Sequence, residues 1–277
     1  MDFTFVAPTN EEELKAELNS PDTYLMCGGT DLLVKIKIGK IKPSKVVSLS
    51  RMKELHFVHE NEKEFVIGAT VTHSELLENP SLKENFPVLF NALYTIGSPQ
   101  IRNRGTLVGN VVNASPAGDG LLALYLLDAN VELSSGREMK IEEFVIGPSK
   151  TVLKAGEYVK AIHIPKKKWD VHYFEKIGQR NAMTISIVSA GWLLSCDNGG
   201  ISEMRMAFGS VAPTVLRMKE IEEFAKGKKV DREFTNEISR MVARSVKPID
   251  DVRGSADYRR KLSSNIVYRM IEEGIRC

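Results

Sequence analysis

The chain has 277 residues, 43% hydrophobic and 27% charged, with a formal net charge of +2. Such a length can bury a sizeable core in two or three modest units, and a charge so close to balance argues against a nucleic-acid or anionic-membrane partner. No apolar run approaches the ~20 residues that span a bilayer, and MDFTFVAPTN lacks the basic start and apolar core of a signal peptide, so a cytoplasmic location is expected. Cys27, Cys196 and Cys277 stand far apart without CxxC spacing. Reduced thiols are expected, and no metal site.

In chain order, FTFVAP reads as a short strand, and Thr9 with Glu12 as a capping box for the helix EEELKAELNS. Tyr24 to Cys27 is the next strand. It breaks at Gly28-Gly29 and is followed by Thr30-Asp31 and a helical pattern in Leu32, Leu33 and Ile36, with Thr30 or Asp31 as cap. The basic run KIKIGKIKPSK reads as a solvated amphipathic helix face, because isoleucines separate its lysines. KVVSLS is a third strand, and Leu55 to Phe57 and EFVIGA have strand character. Thr72 caps a helix whose first turn carries His73, read as a polar residue near a cap, since no nucleophile and carboxylate pair accompanies it.

FPVLFNALYTIGS reads as a buried helix, GLLALYLLDANVEL as a core strand or helix, and SSGREMKIEEF and TVLKAGEYVKAIHIP as further strands. The charged turn KKKWD marks a domain boundary. Beyond it, VHYFEKI, ISIVSAGWLLSC and ISEMRMAFGSV are three strands, the last two joined at DNGG, a strong hairpin signal. Helices follow in VLRMKEIEEFAKG, FTNEISRMVARSV and SADYRRKLSSNIVYRMIEEGI; Arg259 and Arg260, beside Asp257, either tie into the loops above or, the favoured reading, are surface charges on an amphipathic helix. Strands followed by a helical cluster make an α+β domain.

Two stretches carry the chemistry. Ile96 to Asp119, IGSPQIRNRGTLVGNVVNASPAGD, is rich in glycine and hydroxyl residues between two apolar segments, and its own apolar residues argue against disorder. A connection this long without a clear period is an ordered binding loop. Its glycines allow close backbone approach, and amides from Gly105 to Asn110 with the hydroxyls of Thr106 and Ser115 suit a phosphate, while Asp119 suits a sugar hydroxyl. The earlier CGGTDLL offers amides at a helix start, which favour an anion. Alone it is equally a plain capped turn, and it is neither a GxGxxG fingerprint nor a GxxxxGK[ST] loop.

Taken together, CGGTDLL and QIRNRGTLVGNVVNASPAGD resemble the paired flavin-binding segments of the FAD subunit of the molybdenum hydroxylases, the xanthine dehydrogenase and carbon monoxide dehydrogenase family. The resemblance continues in EYVKAIHIP, FEKIGQRNAMTISIVSAG, RMAFGSVAPTVLRMKEIE and SADYRRKLSSNIVYRMIEE, and so covers nearly the whole chain. It implies an α+β fold: a two-subdomain FAD-binding domain of the p-cresol methylhydroxylase/vanillyl-alcohol oxidase type, 1–53 and 54–167, then a C-terminal domain, 168–277, of a three-stranded antiparallel sheet and a helical cluster. The cofactor it implies is FAD.

By resemblance, Cys27, Gly28, Gly29, Thr30, Asp31 and Leu32 with Thr106, Val108, Gly109 and Asn110 surround the pyrophosphate, and Ser115 and Asp119 meet the ribitol or ribose hydroxyls. Val159 packs on the isoalloxazine ring or is an ordinary core residue, and Ile96 covers the opposite side. Lys176 supplies a cation near N1 and C2=O or is a surface lysine. Where the family usually has Gly-Gly before Asn, this chain has Val108-Gly109, and a β-branch resists positive φ.

The function implied is an electron-transfer enzyme subunit that takes electrons from an iron–sulfur subunit and delivers them through FAD to NAD or another acceptor, with a molybdopterin subunit completing the complex. Two alternatives stay open: a scaffold protein of the same fold that has lost flavin, and a stand-alone flavin oxidoreductase.

Overall fold

The computed structural model describes residues 3–18, 20–180, 183–273, 275 and 277. Asn181 and Ala182 of the GQRNAM segment and Gly274 of the last helical pattern lie outside the described residues. The chain forms two compact units: residues 1–79, 97–114 and 128–166 in one, and 80–96, 115–127 and 167–277 in the other.

The first unit holds two principal sheets. Strands β1 (Thr4–Val6), β2 (Thr23–Met26) and β3 (Lys45–Ser48) make a parallel sheet in the order β1-β3-β2, with buried Val46 and Val47 on its central strand. Parallel neighbours require crossovers, and helices Glu11–Glu17 and Leu32–Lys37 occupy the connections. Strands β4 (Val58–Glu60), β5 (Glu64–Gly68), β6 (Asn130–Leu133), β7 (Glu138–Lys140) and β10 (Val159–Pro165) form an antiparallel sheet in the order β4-β5-β10-β6-β7, while β8 (Val145–Gly147) pairs with β9 (Lys150–Thr151). One face of the large sheet is apolar, built from fully buried Phe65, Ile67, Val131, Ile162 and Ile164, as period-two alternation demands.

In the second unit, β11 (Val171–Ile177), β12 (Val188–Asp197), β13 (Gly200–Gly209) and β14 (Leu216–Arg217) form an antiparallel sheet. The expected three strands are present, with β14 as a fourth, too short to register as alternation. Helices Pro87–Tyr94 and Asp119–Leu126 belong to this unit, and the second sits against β12 and β13. Gly191 shows how closely: a Cβ there would lie 2.8 Å from Leu126 Cδ1 and 3.2 Å from Leu122 Cδ2. On the sheet's partner side, Trp192, Met206 and Phe208 pack with Ile221, Ile238, Val242 and Met270 of the helical cluster.

Several local expectations are corrected. The first helix is capped by Asn10, whose side chain accepts from the Glu13 amide, while Glu13 reaches back to Thr9; the reciprocal pattern lies one residue on from Thr9 and Glu12. Helix Leu32–Lys37 ends before Ile38, so Lys40, Lys42 and Lys45 of the lysine run lie beyond it. Leu55 closes a 3-10 turn, Lys53–Leu55, and β4 begins only at Val58. The last helical pattern is two helices, Ala256–Ile266 and Arg269–Glu272.

The cysteine and arginine readings change more. Cys196, near the end of β12, and Cys277 are joined as a disulfide with Cα atoms 5.0 Å apart, inside the usual bridging range; only Cys27 is a free thiol. Sequence spacing carried no hint of a contact between residues 81 positions apart. Arg259 is 1% exposed and donates through Nη1 to the carbonyls of Ile187 (2.9 Å) and Ser210 (3.0 Å) and through Nη2 to Asp251 (2.6 Å). Arg260 does lie at the surface, paired with Asp257.

Candidate functional site

The two glycine stretches meet inside the first unit. A Cβ on Gly28 would lie 1.8 Å from the carbonyl oxygen of Arg104 and 3.0 Å from the Cα of Gly105, so the backbones cross with no room for any side chain. Gly29 follows with φ +77°, a left-handed conformation that an L side chain resists. Further along, Asn113 Nδ2 donates to Asp31 Oδ1 at 3.2 Å, and Lys35 Nζ donates to Asn113 Oδ1 at 2.5 Å. These bonds tie the start of helix Leu32–Lys37 to the end of helix Leu107–Asn113.

That crossing leaves a run of amides unpaired. Among the described residues, the N–H groups of Gly28, Gly29, Thr30, Asp31 and Leu32 have no acceptor; the first helical bond runs from Leu33 N to Gly29 O. Asp31 occupies the cap position without a side-chain cap bond, its carboxylate being used by Asn113. A consecutive set of donors at a helix start is an anion cradle.

The long loop is more regular than its composition suggests. Ser98 caps a one-turn helix, Pro99–Arg102, and Thr106 caps Leu107–Asn113, its Oγ1 accepting from Gly109 N at 3.0 Å. The amides of Gly109 and Asn110, expected to be free for phosphate, are thus used, the second by the Thr106 carbonyl. Val108 sits inside this helix, buried and with ordinary backbone, and answers the question its β-branch raised: no positive φ is needed there. The left-handed residue of this segment is Ala114, at φ 48°.

Cys27 and His73 adjoin the crossing. Burial pushes the Cys27 thiol up to about 11, partly offset by a hydrogen bond with Thr106. His73 donates its backbone N–H to Gly105 O, and its ring touches the space where a Gly105 side chain would be. Burial, reinforced by the nearby charge of Arg102, pulls its imidazole down to about 4, so it is neutral near pH 7. The capping role expected of Thr72 is present as a full box with Glu75.

The remaining expected residues occupy other places. Val159 is a buried residue of β10 opposite Leu133, beside an irregularity in the ladder. Ser115 accepts from the Ala117 amide at 3.2 Å. Ile96, half-buried, follows helix Pro87–Tyr94.

In the second unit, Asp119 begins helix Asp119–Leu126 and is 4% exposed. Lys176 Nζ lies 2.7 Å from its Oδ2, Ser186 Oγ donates to its Oδ1 at 2.8 Å, and Lys176 also donates to Thr95 O at 3.1 Å. Burial pushes the Asp119 carboxyl up, and Lys176 and Ser186 pull against it. Sequence reading chose both members of this pair for separate tasks and missed Ser186, which no motif distinguishes. Among the described residues no group of three or more His, Cys, Asp or Glu could hold a metal, and no helix is long and apolar enough to cross a membrane.

A cradle of free amides at a glycine turn, braced by a second glycine segment, defines an anion-binding flavoprotein domain once sequence likeness is added. Residues 1–167 match the family described as the FAD binding domain in molybdopterin dehydrogenase, and residues 172–274 the CO dehydrogenase flavoprotein C-terminal domain. The chain belongs to this family, as an FAD-binding subunit of the multisubunit molybdenum hydroxylases.

Among its relatives, the glyceraldehyde dehydrogenase medium chain of Sulfolobus acidocaldarius is 29% identical over 98% of both chains. The nicotinate dehydrogenase FAD-subunit of Eubacterium barkeri is 33% identical over 82% of this chain and 80% of its own. Carbon monoxide dehydrogenase from Hydrogenophaga pseudoflava has a chain that superposes with a TM-score of 0.93 at 27% identity, over 98% of this chain and 96% of that one. The fold is accordingly the p-cresol methylhydroxylase type expected.

Proposed function

We propose that this subunit passes electrons from an iron–sulfur partner, through FAD, to NAD or another acceptor, within a complex whose molybdopterin subunit oxidises the substrate. FAD, when bound, supplies the carrier chemistry that joins one-electron clusters to a hydride acceptor. The observation that carries the reading is the run of free amides from Gly28 to Leu32. A pyrophosphate leaving water needs donors already fixed in place, and charge-assisted bonds to such amides are the strong kind.

In this reading Gly28, Gly29, Thr30, Asp31 and Leu32 hold the pyrophosphate. Cys27 fills space below them. Thr106 fixes the facing helix, in which Gly109 and Asn110 serve by shape and Val108 by packing. Ser115, Ile96 and Val159 are assigned to the ribityl and ring portions. Lys176 is the fixed cation for the flavin's electronics, held by Asp119 rather than sharing sugar contacts with it. The three-part organisation, 1–53, 54–167 and 168–277, is supported by one principal sheet lying in each part.

Purification of the native complex tests the proposal: iron, molybdenum and flavin should co-purify with this chain, and the reduced complex should lose flavin reduction when NAD or its natural acceptor is added. Recovery of the chain only as a homo-oligomer with full reductase activity of its own would overturn it.

A further inference from the structure

Between positions 31 and 45 stand five lysines and one acid, Asp31. Lys45 pairs with Glu17 at 2.7 Å, and Lys35 and Asp31 are both held by Asn113. Lys37, Lys40 and Lys42 are exposed and have no acidic partner among the described residues. In a chain whose net charge is only +2, this is a local concentration of uncompensated positive charge.

The same segment exposes aliphatic side chains. Leu32 and Ile36 turn into the core formed with Met26 and Val46, which leaves the opposite face of helix Leu32–Lys37 uncovered. On that face Val34 is 55% exposed and Ile38, at the cap, 68%; they stand four residues apart, so their side chains adjoin. Leu33, 45% exposed, and Lys37 form the neighbouring row with the same spacing. Solubility does not explain an aliphatic strip with a cationic border, since lysines alone would serve it, and such a strip marks an interaction surface. The stretch from 31 to 45 contains no aromatic residue of the kind that anchors a helix at a membrane surface, so a protein partner fits better than a bilayer.

We infer that this face docks an acidic, partly apolar surface of the iron–sulfur subunit, an inference that rests on the electron-transfer reading of the chain. Charge and position both select that partner. A cluster held by cysteine thiolates is itself negatively charged, and lysines around an apolar centre steer an acidic partner and fix its register. The helix begins at the amide cradle, and with a rise of 1.5 Å per residue Ile38 lies about 9 Å along it from Leu32. The subunit that hands electrons to the flavin has to approach the cofactor closely, whereas the molybdopterin subunit is relieved of that by the clusters between them.

The native complex, purified through a tag on this chain, is compared with two variants: Val34→Glu/Ile38→Glu and Lys37→Glu/Lys40→Glu/Lys42→Glu. Each changes exposed side chains only. Iron, molybdenum and FAD per chain are measured, and dissociation on dilution is followed by mass photometry. Both variants should keep wild-type FAD content and Tm. Both should weaken association with the iron–sulfur subunit by roughly 100-fold or more, because charge reversed in an interface, or placed into its apolar centre, costs at least that. In the wild type, added salt should promote the same dissociation. Iron retained at the wild-type ratio in both variants would overturn the inference. So would retained iron with loss of molybdenum, of a homo-oligomer or of binding to phosphatidylserine vesicles, each of which assigns the face to another occupant. If one variant fails to fold, the other decides. A wild-type complex that carries no iron would defeat the electron-transfer reading itself, and is visible before any variant is made.

Discussion

Gly28→Ala places one methyl group where the two loops cross. Its Cβ would start 1.8 Å from Arg104 O, whereas real Cβ contacts are not found under 3.0 Å, so backbone must move by about 1.2 Å. The obstructing atom is a carbonyl oxygen, which cannot rotate away as a flexible side chain could. Overpacking of this kind costs ~1–3 kcal/mol, which for a chain of this size lowers Tm by roughly 2–12 °C. The larger effect should be on cofactor binding, because displacement of the turn misaligns several amides together. At 1.4 kcal/mol per factor of ten, loss of two of them weakens FAD by roughly 100-fold or more.

Gly109→Ala is the control. Its Cβ would meet only Thr106 Oγ1, at 2.9 Å. Disturbing that cap costs ~1 kcal/mol, while alanine in place of glycine in a helix returns ~1 kcal/mol, so Tm should hardly change. Circular dichroism melts and flavin fluorescence titrations measure both quantities. A Gly28→Ala protein with wild-type Tm and wild-type FAD affinity would refute the crossing as the framework of the site.

Asp119→Ala leaves Lys176 buried without its partner and should destabilise by ~3–5 kcal/mol; replacing Lys176 by Met in the same chain should recover much of that, as denaturant melts would reveal. The disulfide closes a span of 81 residues, worth ~4–5 kcal/mol in the chain-entropy account. Thiol titration of denatured, unreduced protein should find Cys27 alone, and Cys196→Ser should lower Tm, whereas three free thiols would contradict the pairing. His163 lies between Glu64 (3.0 Å) and Glu132 (3.2 Å). Burial alone would lower its pKa, but hydrogen bonds to those two carboxylates outweigh it and the value is raised. Its stabilising contribution is then full below the unfolded value of 6.5 and fades as pH rises through the higher folded value. His163→Gln should consequently lower Tm at pH 5.5 and much less at pH 9, and an equal loss at both would reject the charge assignment.

What the sequence made legible was local. The Gly28-Gly29 turn, the Thr72 cap and the DNGG hairpin each put their physics into adjacent residues, and each appears where expected, the hairpin with Asn198 and Gly199 both at positive φ. The loop from Ile96 to Asp119 reads as ordered, and it does meet the Gly28 turn, but its helices were not legible, because segments of one or two turns containing glycine and proline display no 3.6-residue period. Contacts between distant residues were beyond reach: Arg259 reads as a surface charge until the carbonyls of Ile187 and Ser210 are placed around it, and Asp119 reads as a sugar ligand until Lys176 and Ser186 take its oxygens. The same limit hid the Cys196–Cys277 pair.

The most direct test of the cofactor cradle is flavin titration of the apoprotein for wild type and Gly29→Val. At φ +77° a β-branched residue is strained, and its side chain would crowd Met26 Sδ, 2.9 Å from the Cβ position. Wild type should regain a yellow colour and saturate at one FAD per chain, while Gly29→Val should stay folded and colourless. Equal FAD affinity in the two proteins would contradict the assignment of the amides from Gly28 to Leu32 as the pyrophosphate site.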